Sequence, residues 1–95
     1  MADFIFLLHN DATERDEDWD AYFTRLNASG CFRGGSAIGA GLLARKSGDA
    51  QSTTAHLGGY IRVEANDLAH ARTLVEGNPV YEAGGTVEIR ELPRQ

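Results

Sequence analysis

The sequence has one cysteine, two prolines and one tryptophan among its 95 residues. With Cys31 alone, no disulfide can form within the chain, and no cysteine spacing typical of a zinc site exists. We interpret Cys31 as a small buried apolar residue. The apolar run at residues 4–8 is too short for a membrane span or a signal-peptide core, and no basic segment precedes it. These absences favour a cytoplasmic protein.

Basic residues are also scarce. Nine lysines and arginines stand against fourteen aspartates and glutamates, which gives a formal net charge of −5. Nucleic acids and anionic membranes both favour a basic surface, so we expect neither as a partner. No sequence pattern indicates a cofactor. The length fits a single domain that covers residues 1–95.

Hydrophobic periodicity predicts four strands and two helices. The strands are residues 4–8, a bent strand that starts near Cys31, and the alternating segments 60–65 and 86–90. The continuous apolar run of the first is typical of a strand buried on both faces. Two helical segments separate the strands. The order β-α-β-β-α-β indicates an α+β, ferredoxin-like sandwich with a four-stranded antiparallel sheet.

The first helix has a clear apolar face. Thr13 is the expected N-cap, with Asp16 three positions later in a shortened capping box. Gly30 follows the helix at a position suited to a left-handed conformation. The face consists of four residues at helical spacing: Trp19, Tyr22, Phe23 and Leu26.

The second helix follows Asn66 and Asp67, which are suitable caps. We expect residues 77–79, Gly-Asn-Pro, to end it, because proline cannot continue a helix. Asn78 is interpreted as capping or terminating this helix. The predicted apolar stripe is Leu68, Ala71, Leu74 and Val75.

The segment between the two helices is rich in glycine. We expect a bulged strand in which Ile38 and Leu42 continue the residues near Cys31, followed by an exposed loop at residues 46–56. The motif Gly-Ala-Gly-Leu-Leu-Ala at residues 39–44 matches the dinucleotide fingerprint. Because no helix follows it and no parallel βαβ unit surrounds it, we reject a nucleotide site.

Strand alternation assigns the side chains to two faces of the sheet. Two helices can cover only one face, where we expect Ile61, Val63, Val87 and Ile89. The other face combines one side of the apolar first strand with Tyr60, Arg62, Glu64, Glu88 and Arg90. This mixture is too apolar at its centre to stay wet. We therefore predict a homodimer in which the sheets of two copies pack together.

Several segments resemble the YCII-related family, in its DGPF branch. They are residues 57–68, the pair Asn78-Pro79 and residues 84–93, with residues 4–9 and the pair Gly34-Gly35 adding to the likeness. The resemblance implies one YCII-related domain that dimerises as an α+β barrel with a cleft beside the sheet. Relatives include lyase-like and dehydrochlorinase-like enzymes that use a histidine and an aspartate, and others encoded near sigma factors.

The sequence departs from this family pattern in two places. The Asp-Gly-Pro-Phe motif is absent, and residues 46–55 occupy its place. Trp19 or Asp20 falls where the enzymatic relatives carry a helix histidine. The histidine and aspartate of those enzymes are therefore not transferred to this chain residue by residue.

Two sets of residues are candidates for a site. His9, at the end of the first strand, is a candidate general acid or base because histidine titrates near neutral pH, and Asp11 is a candidate to orient it. No metal site is indicated, since a His-x-Asp pair offers too few ligands.

Arg62 is expected to pair with Glu88 across the sheet. The candidate substrate-binding residues are Arg33, Ser36, His56 and Tyr60, with Arg33 suited to hold a carboxylate.

Two functions follow from these residues. The first is an enzyme of lyase, isomerase or dehydrochlorinase type, with a histidine acid/base in a cleft and a small organic acid as ligand. The second is a non-catalytic binding or regulatory homodimer, favoured by the missing helix histidine and the missing motif.

Overall fold

The computed structural model describes residues 1–15 and 18–94. In this part of the chain the fold is α+β, with four strands and three helices, one helix more than the sequence predicts. In chain order the elements are β1 (Ala2–His9), α1 (Trp19–Ala28), β2 (Phe32–Ala37), β3 (Leu57–Ala65), α2 (Leu68–Thr73), α3 (Pro79–Glu82) and β4 (Val87–Leu92). No described helix is both long and apolar enough to cross a membrane.

The four strands form one antiparallel sheet in the order β2-β3-β1-β4. The apolar strand β1 is central, and Phe6 lies opposite Ile61 on β3 and Ile89 on β4. Along β1 the buried Phe4 and Phe6 alternate with Ile5, which is only half-buried. One face of the central strand is therefore fully covered and the other is not.

The core lies between the helices and one face of the sheet. The apolar face of α1 is confirmed, because Tyr22 and Leu26 are buried there and Trp19 and Phe23 pack beside them. The sheet residues that meet this layer are those that strand alternation predicts, with Val87 and Ile89 half-buried at the edge strand β4. The buried members from the strands are Phe4, Phe6, Leu8, Ile61, Val63 and Ala65.

Helix α1 begins later than the sequence predicts. Its N-cap is Asp18, so Thr13 as the N-cap is wrong, and Asp16 lies outside the described residues. The Thr13 amide donates instead to the Ala83 carbonyl, at 3.1 Å. An N-cap uses its side-chain oxygen to accept from a helix amide, whereas the Thr13 hydroxyl is also directed at the Ala83 carbonyl, at 3.5 Å. At the other end, Gly30 has the predicted left-handed conformation, with φ of 76°.

Strand β2 is bulged, as the glycines indicate. Its pairing with β3 shifts between Phe32 and Gly35, and Gly34 has φ of 108°, a conformation that favours glycine. The strand ends at Ala37, so the predicted continuation through Ile38 and Leu42 is wrong. The segment from Ile38 to the start of β3 is mainly exposed, and Leu42 is 87% accessible.

The second predicted helix is two short helices. Helix α2 ends at Thr73, and Asn78 caps a new helix, α3, with Pro79 in its first turn. Asn78 is thus a helix cap, but of the new helix α3 rather than of the predicted second helix, and Pro79 suits the first position of α3. Of the predicted stripe, Ala71 and Val75 are buried and Leu74 is half-buried, whereas Leu68 is 57% exposed.

Candidate functional site

Two histidines meet at one end of the sheet. His9 is the last residue of β1, and His56 directly precedes β3. Antiparallel pairing brings the end of β1 and the start of β3 together, and the Asn10 amide donates to the His56 carbonyl at 2.6 Å. The two imidazole ring centroids are 4.6 Å apart, with their planes inclined at 54°. The predicted candidates His9 and His56 are thus in direct contact.

Glu88 of β4 orients His9. The His9 Nε2 atom lies 2.9 Å from Oε1 of Glu88. A carboxylate only accepts hydrogen bonds, so Nε2 is the protonated nitrogen of the neutral imidazole. Nδ1 is then the basic nitrogen, and it makes no hydrogen bond with the described residues. The arrangement leaves a nitrogen that can take a proton and a carboxylate that fixes the ring.

The pair is accessible but partly shielded from water. The side chain of His9 is 18% exposed and that of Glu88 is 39% exposed. The second carboxylate oxygen of Glu88 lies 3.8 Å from Nε of Arg90, whose side chain is 69% exposed. A small molecule can therefore reach this end of the sheet, while the ring is held by protein contacts.

Asp11 fixes the start of β4 and makes no hydrogen bond to His9. The Thr86 amide donates to Oδ1 of Asp11 at 2.7 Å, and the Thr86 hydroxyl donates to Oδ2 at 2.6 Å. Both bonds lower the pKa of Asp11 below its ordinary value, and the bond from the Thr86 hydroxyl has the larger effect. The carboxylate that contacts His9 belongs to Glu88, two positions beyond Thr86. Asp11 holds the strand that carries Glu88, and its charge also interacts with His9 through space.

Ser36 and Tyr60 lie opposite each other on β2 and β3. Both border a cavity of about 420 Å³ whose wall includes Trp19 and Phe23 of α1. The Ser36 hydroxyl donates to the Ala37 carbonyl at 2.9 Å. Two of the predicted substrate-binding residues therefore border one cavity, while His9 and His56 lie outside its lining.

Arg33 is held at the other end of the sheet. Its Nη1 atom donates to the carbonyls of Gly30 and Phe32, at 2.8 and 2.9 Å. Its Nε atom lies 3.5 Å from Glu64, which pairs with Asp3 near the start of β1, whereas His9 ends that strand. The structure does not bring Arg33 together with the histidines.

Glu88 is the residue that sequence reasoning assigned to another partner. The expected pair between Arg62 and Glu88 is wrong, because β1 lies between their strands β3 and β4. Glu88 lies opposite Leu7 instead, on the face of the sheet that carries His9. Strand alternation placed Glu88 on this face, but only the strand order reveals which side chain is its neighbour.

Metal ligands do not converge at this end of the sheet. Within residues 1–15 and 18–94, no group of three or more His, Cys, Asp or Glu side chains could hold a metal ion.

The model of one protein family matches the chain, namely the YCII-related domain, over residues 7–94. The chain belongs to the YCII-related family. This match spans β1 to β4, so the histidines, Glu88 and the cavity all lie within the family's domain. No curated protein and no solved structure gives a significant match.

Proposed function

We propose that this YCII-related protein is a small-molecule enzyme of lyase or isomerase type in which His9 moves a proton. The observation that carries the proposal is the 2.9 Å contact between His9 and Glu88. In a neutral His9 ring this contact fits a proton on Nε2, which would leave Nδ1 as the base. A base whose ring is oriented by a second side chain is the usual arrangement in general acid–base catalysis.

His56 contributes a second imidazole beside the first. His9 ends β1 and His56 precedes β3, and the bond from the Asn10 amide to the His56 carbonyl joins these two strand ends. The relative position of the rings is therefore set by β-sheet pairing. Such a pair can share the tasks of removing a proton and returning it at a neighbouring atom of the substrate. That is the chemistry of isomerisation. In a β-elimination the second imidazole would instead give a proton to the departing group as the carbon–leaving-group bond breaks.

The test is turnover by matched variants. A panel of small organic acids, phenols and lactones is first screened by thermal shift, and compounds that bind are assayed for conversion. We expect His9→Gln to lower kcat by about 10²–10⁴-fold, the usual contribution of a general base. Glu88→Gln should lower kcat less, because it removes orientation but not the base.

Glu91→Gln is the matched control for Glu88→Gln. Glu91 lies on the same strand, is exposed, and pairs with Phe4 rather than with the histidine end of β1. It should leave kcat unchanged. Full turnover by His9→Gln would contradict the mechanism.

A non-catalytic ligand-binding homodimer is the second candidate function. The observation that favours it is the separation of the histidines from the 420 Å³ cavity, whose lining contains neither His9 nor His56. A protein that only senses a small molecule needs the cavity and not the histidines. Saturable binding without turnover of any bound compound, in folded protein, would support this alternative.

We also propose that the chain forms a homodimer of the ferredoxin-like, α+β-barrel kind through the uncovered face of its sheet. The strand order and the placement of all packed helical residues on one face support this arrangement. The uncovered face has half-buried apolar residues at its centre, Ile5 and Leu7 among them, beside Tyr60. Arg62 and Arg90 flank them. A second copy would cover the apolar centre and let the charged rim pair.

The dimer is tested by light scattering over a range of concentrations. Wild-type protein should give twice the chain mass of 10.3 kDa. Leu7→Lys places a charge at the centre of the uncovered face and should give a monomer. Leu68→Lys adds the same charge to an exposed position on the helical side and should stay dimeric. A monomer mass at all concentrations would rule out the interface.

A further inference from the structure

The cavity beside α1 has the dimensions of a small-molecule site. It lies between the first two turns of α1 and the paired strands β2 and β3, and its volume is about 420 Å³. Ligand sites commonly measure about 300–1,000 Å³.

One wall of the cavity is a stack of aromatic rings. The Trp19 and Phe23 ring centroids are 5.7 Å apart and their planes are inclined by only 25°. Phe23 in turn contacts Phe32 of β2, with centroids 5.4 Å apart. Trp19 and Phe23 are only half-buried, although their neighbour Tyr22 is almost fully buried. The stack thus offers a flat apolar surface on which another ring can pack.

The opposite wall contains several small residues besides Leu8 and Ile61. Gly35 pairs with Ile61, and Ala37 pairs with Gly59, so these small residues share the face of the sheet that α1 covers. A Cβ atom at Gly59 would stand 3.4 Å from Cδ1 of Leu8, and a longer side chain would have to extend into the cavity. The volume exists because small residues stand where a core would carry larger ones.

The described lining residues carry no charge. The Ser36 hydroxyl already donates its hydrogen bond to the Ala37 carbonyl. An anion would therefore find no cationic partner, and burial of an unpaired charge is unfavourable. The formal charge of −5 adds a general repulsion. We propose that this cavity binds an uncharged, planar ring compound stacked on Trp19 and Phe23.

The proposal goes beyond the proton transfer assigned to His9, since it concerns a separate set of residues. It is tested with three probes of similar size: benzyl alcohol, its saturated analogue cyclohexylmethanol, and benzoate. Trp19 is the one tryptophan in the chain, so its fluorescence reports on the cavity directly. We expect a saturable change with benzyl alcohol and dissociation constants about tenfold weaker, or more, for the other two probes.

Variants separate the cavity from other surfaces. Ala37→Leu fills the cavity from an exposed strand end, and Phe23→Leu removes the second ring of the stack while keeping Trp19. Each should weaken benzyl alcohol binding by about tenfold, with the fold checked by circular dichroism. Leu42→Ala, on the exposed segment after β2, should bind like wild type.

His9→Gln should also bind benzyl alcohol with wild-type affinity, so failure of the catalytic proposal leaves this one standing. Three outcomes would overturn the cavity proposal. They are the absence of saturable binding by benzyl alcohol, binding of benzoate as tight as that of benzyl alcohol, and unchanged binding by a folded Ala37→Leu variant.

Discussion

His9 and Glu88 are 79 positions apart in the chain, yet their side chains meet at 2.9 Å. The contact exists because β4 pairs with β1, with Leu7 opposite Glu88 and Leu8 opposite Val87. The bond from the His9 amide to the Thr86 carbonyl, at 3.0 Å, closes the same end of the ladder. The imidazole and the carboxylate are therefore held together by backbone pairing as well as by their own hydrogen bond.

A double-mutant cycle will measure this contact. The free energy of unfolding is compared among wild type, His9→Ala, Glu88→Ala and the double variant. Because both side chains are partly exposed, we expect a coupling energy of about 0.5 kcal/mol, in the range of cross-strand pairs. Urea denaturation at constant pH gives the four values.

The control cycle uses Arg90 in place of His9. Arg90 lies 3.8 Å from Glu88 and is more exposed, so its coupling to Glu88 should be smaller. Additive effects of His9→Ala and Glu88→Ala would show that the observed hydrogen bond contributes nothing to the folded state.

The sequence predicted those features that depend on local periodicity. Ile61 and Val63 alternate with Tyr60 and Arg62, and the structure buries the first pair and leaves Arg62 exposed. The face of α1 was likewise readable from its spacing. In each case a side chain's burial follows from the geometry of its own element, so neighbours in the sequence carry the information.

Features that depend on distant pairing were missed. Thr13 has the chemistry of an N-cap, but Ala83 takes its amide and the helix starts at Trp19. Glu88 was paired with Arg62 because both lie on one face, whereas the strand order separates them. Tertiary contacts decided both cases, and no local pattern distinguishes the alternatives.

Asp11 should make stability depend on pH in the acid range. Its pKa lies below the ordinary value of 3.8, first because of the Thr86 hydroxyl and then because of the Thr86 amide. A lowered pKa means that the charged form is favoured by the fold, so the stabilisation is present above the ordinary value and disappears as pH falls through the lowered one. Asp11→Asn should therefore lower Tm at pH 7, with the gap closing as the pH falls through and below the ordinary value of 3.8.

Thermal melts of both proteins across this pH range check the prediction. Asp49→Asn, in the exposed loop, is the matched control and should follow the wild-type curve at every pH. A gap between Asp11→Asn and wild type that stays constant from neutral to acid pH would show that the Asp11 charge is not responsible.

Tyr22 combines core packing with a hydrogen bond. It is 2% exposed, and its hydroxyl donates to the Leu74 carbonyl at 2.8 Å. Tyr22→Phe leaves that carbonyl without its partner and should cost about 1 kcal/mol in unfolding free energy. Burial also raises the pKa of Tyr22, so its ionisation step in an ultraviolet titration should come at higher pH than ordinary tyrosine and vanish in the variant.

Tyr81→Phe is the comparison. The Tyr81 hydroxyl accepts from the exposed Arg72, so its loss should cost less than that of Tyr22. Equal costs for the two variants would contradict the stronger role of the Tyr22 hydrogen bond. If the tyrosine ionisation step at raised pH persisted in Tyr22→Phe, that step would not belong to Tyr22.

Asn78 should be the most sensitive polar residue in the C-terminal half. It is fully buried, and its Oδ1 accepts from the amides of Val80 and Tyr81, at 2.9 and 3.3 Å. Asn78→Ala removes the cap of α3, and we expect a loss of about 2 kcal/mol, the upper end for a helix cap. For a domain of this size that corresponds to a fall in Tm of about 10 °C.

Asn66→Ala is the control at an exposed position. Asn78→Ser tests whether the side-chain oxygen or the buried volume of Asn78 stabilises α3. Asn66 precedes α2 and is exposed, so its substitution should leave Tm near the wild-type value. Serine keeps a side-chain oxygen for the Val80 and Tyr81 amides but is smaller than asparagine. If the cap dominates, Asn78→Ser should recover part of the loss seen with alanine. If serine and alanine are equally destabilising, the buried volume of Asn78 rather than its oxygen stabilises α3.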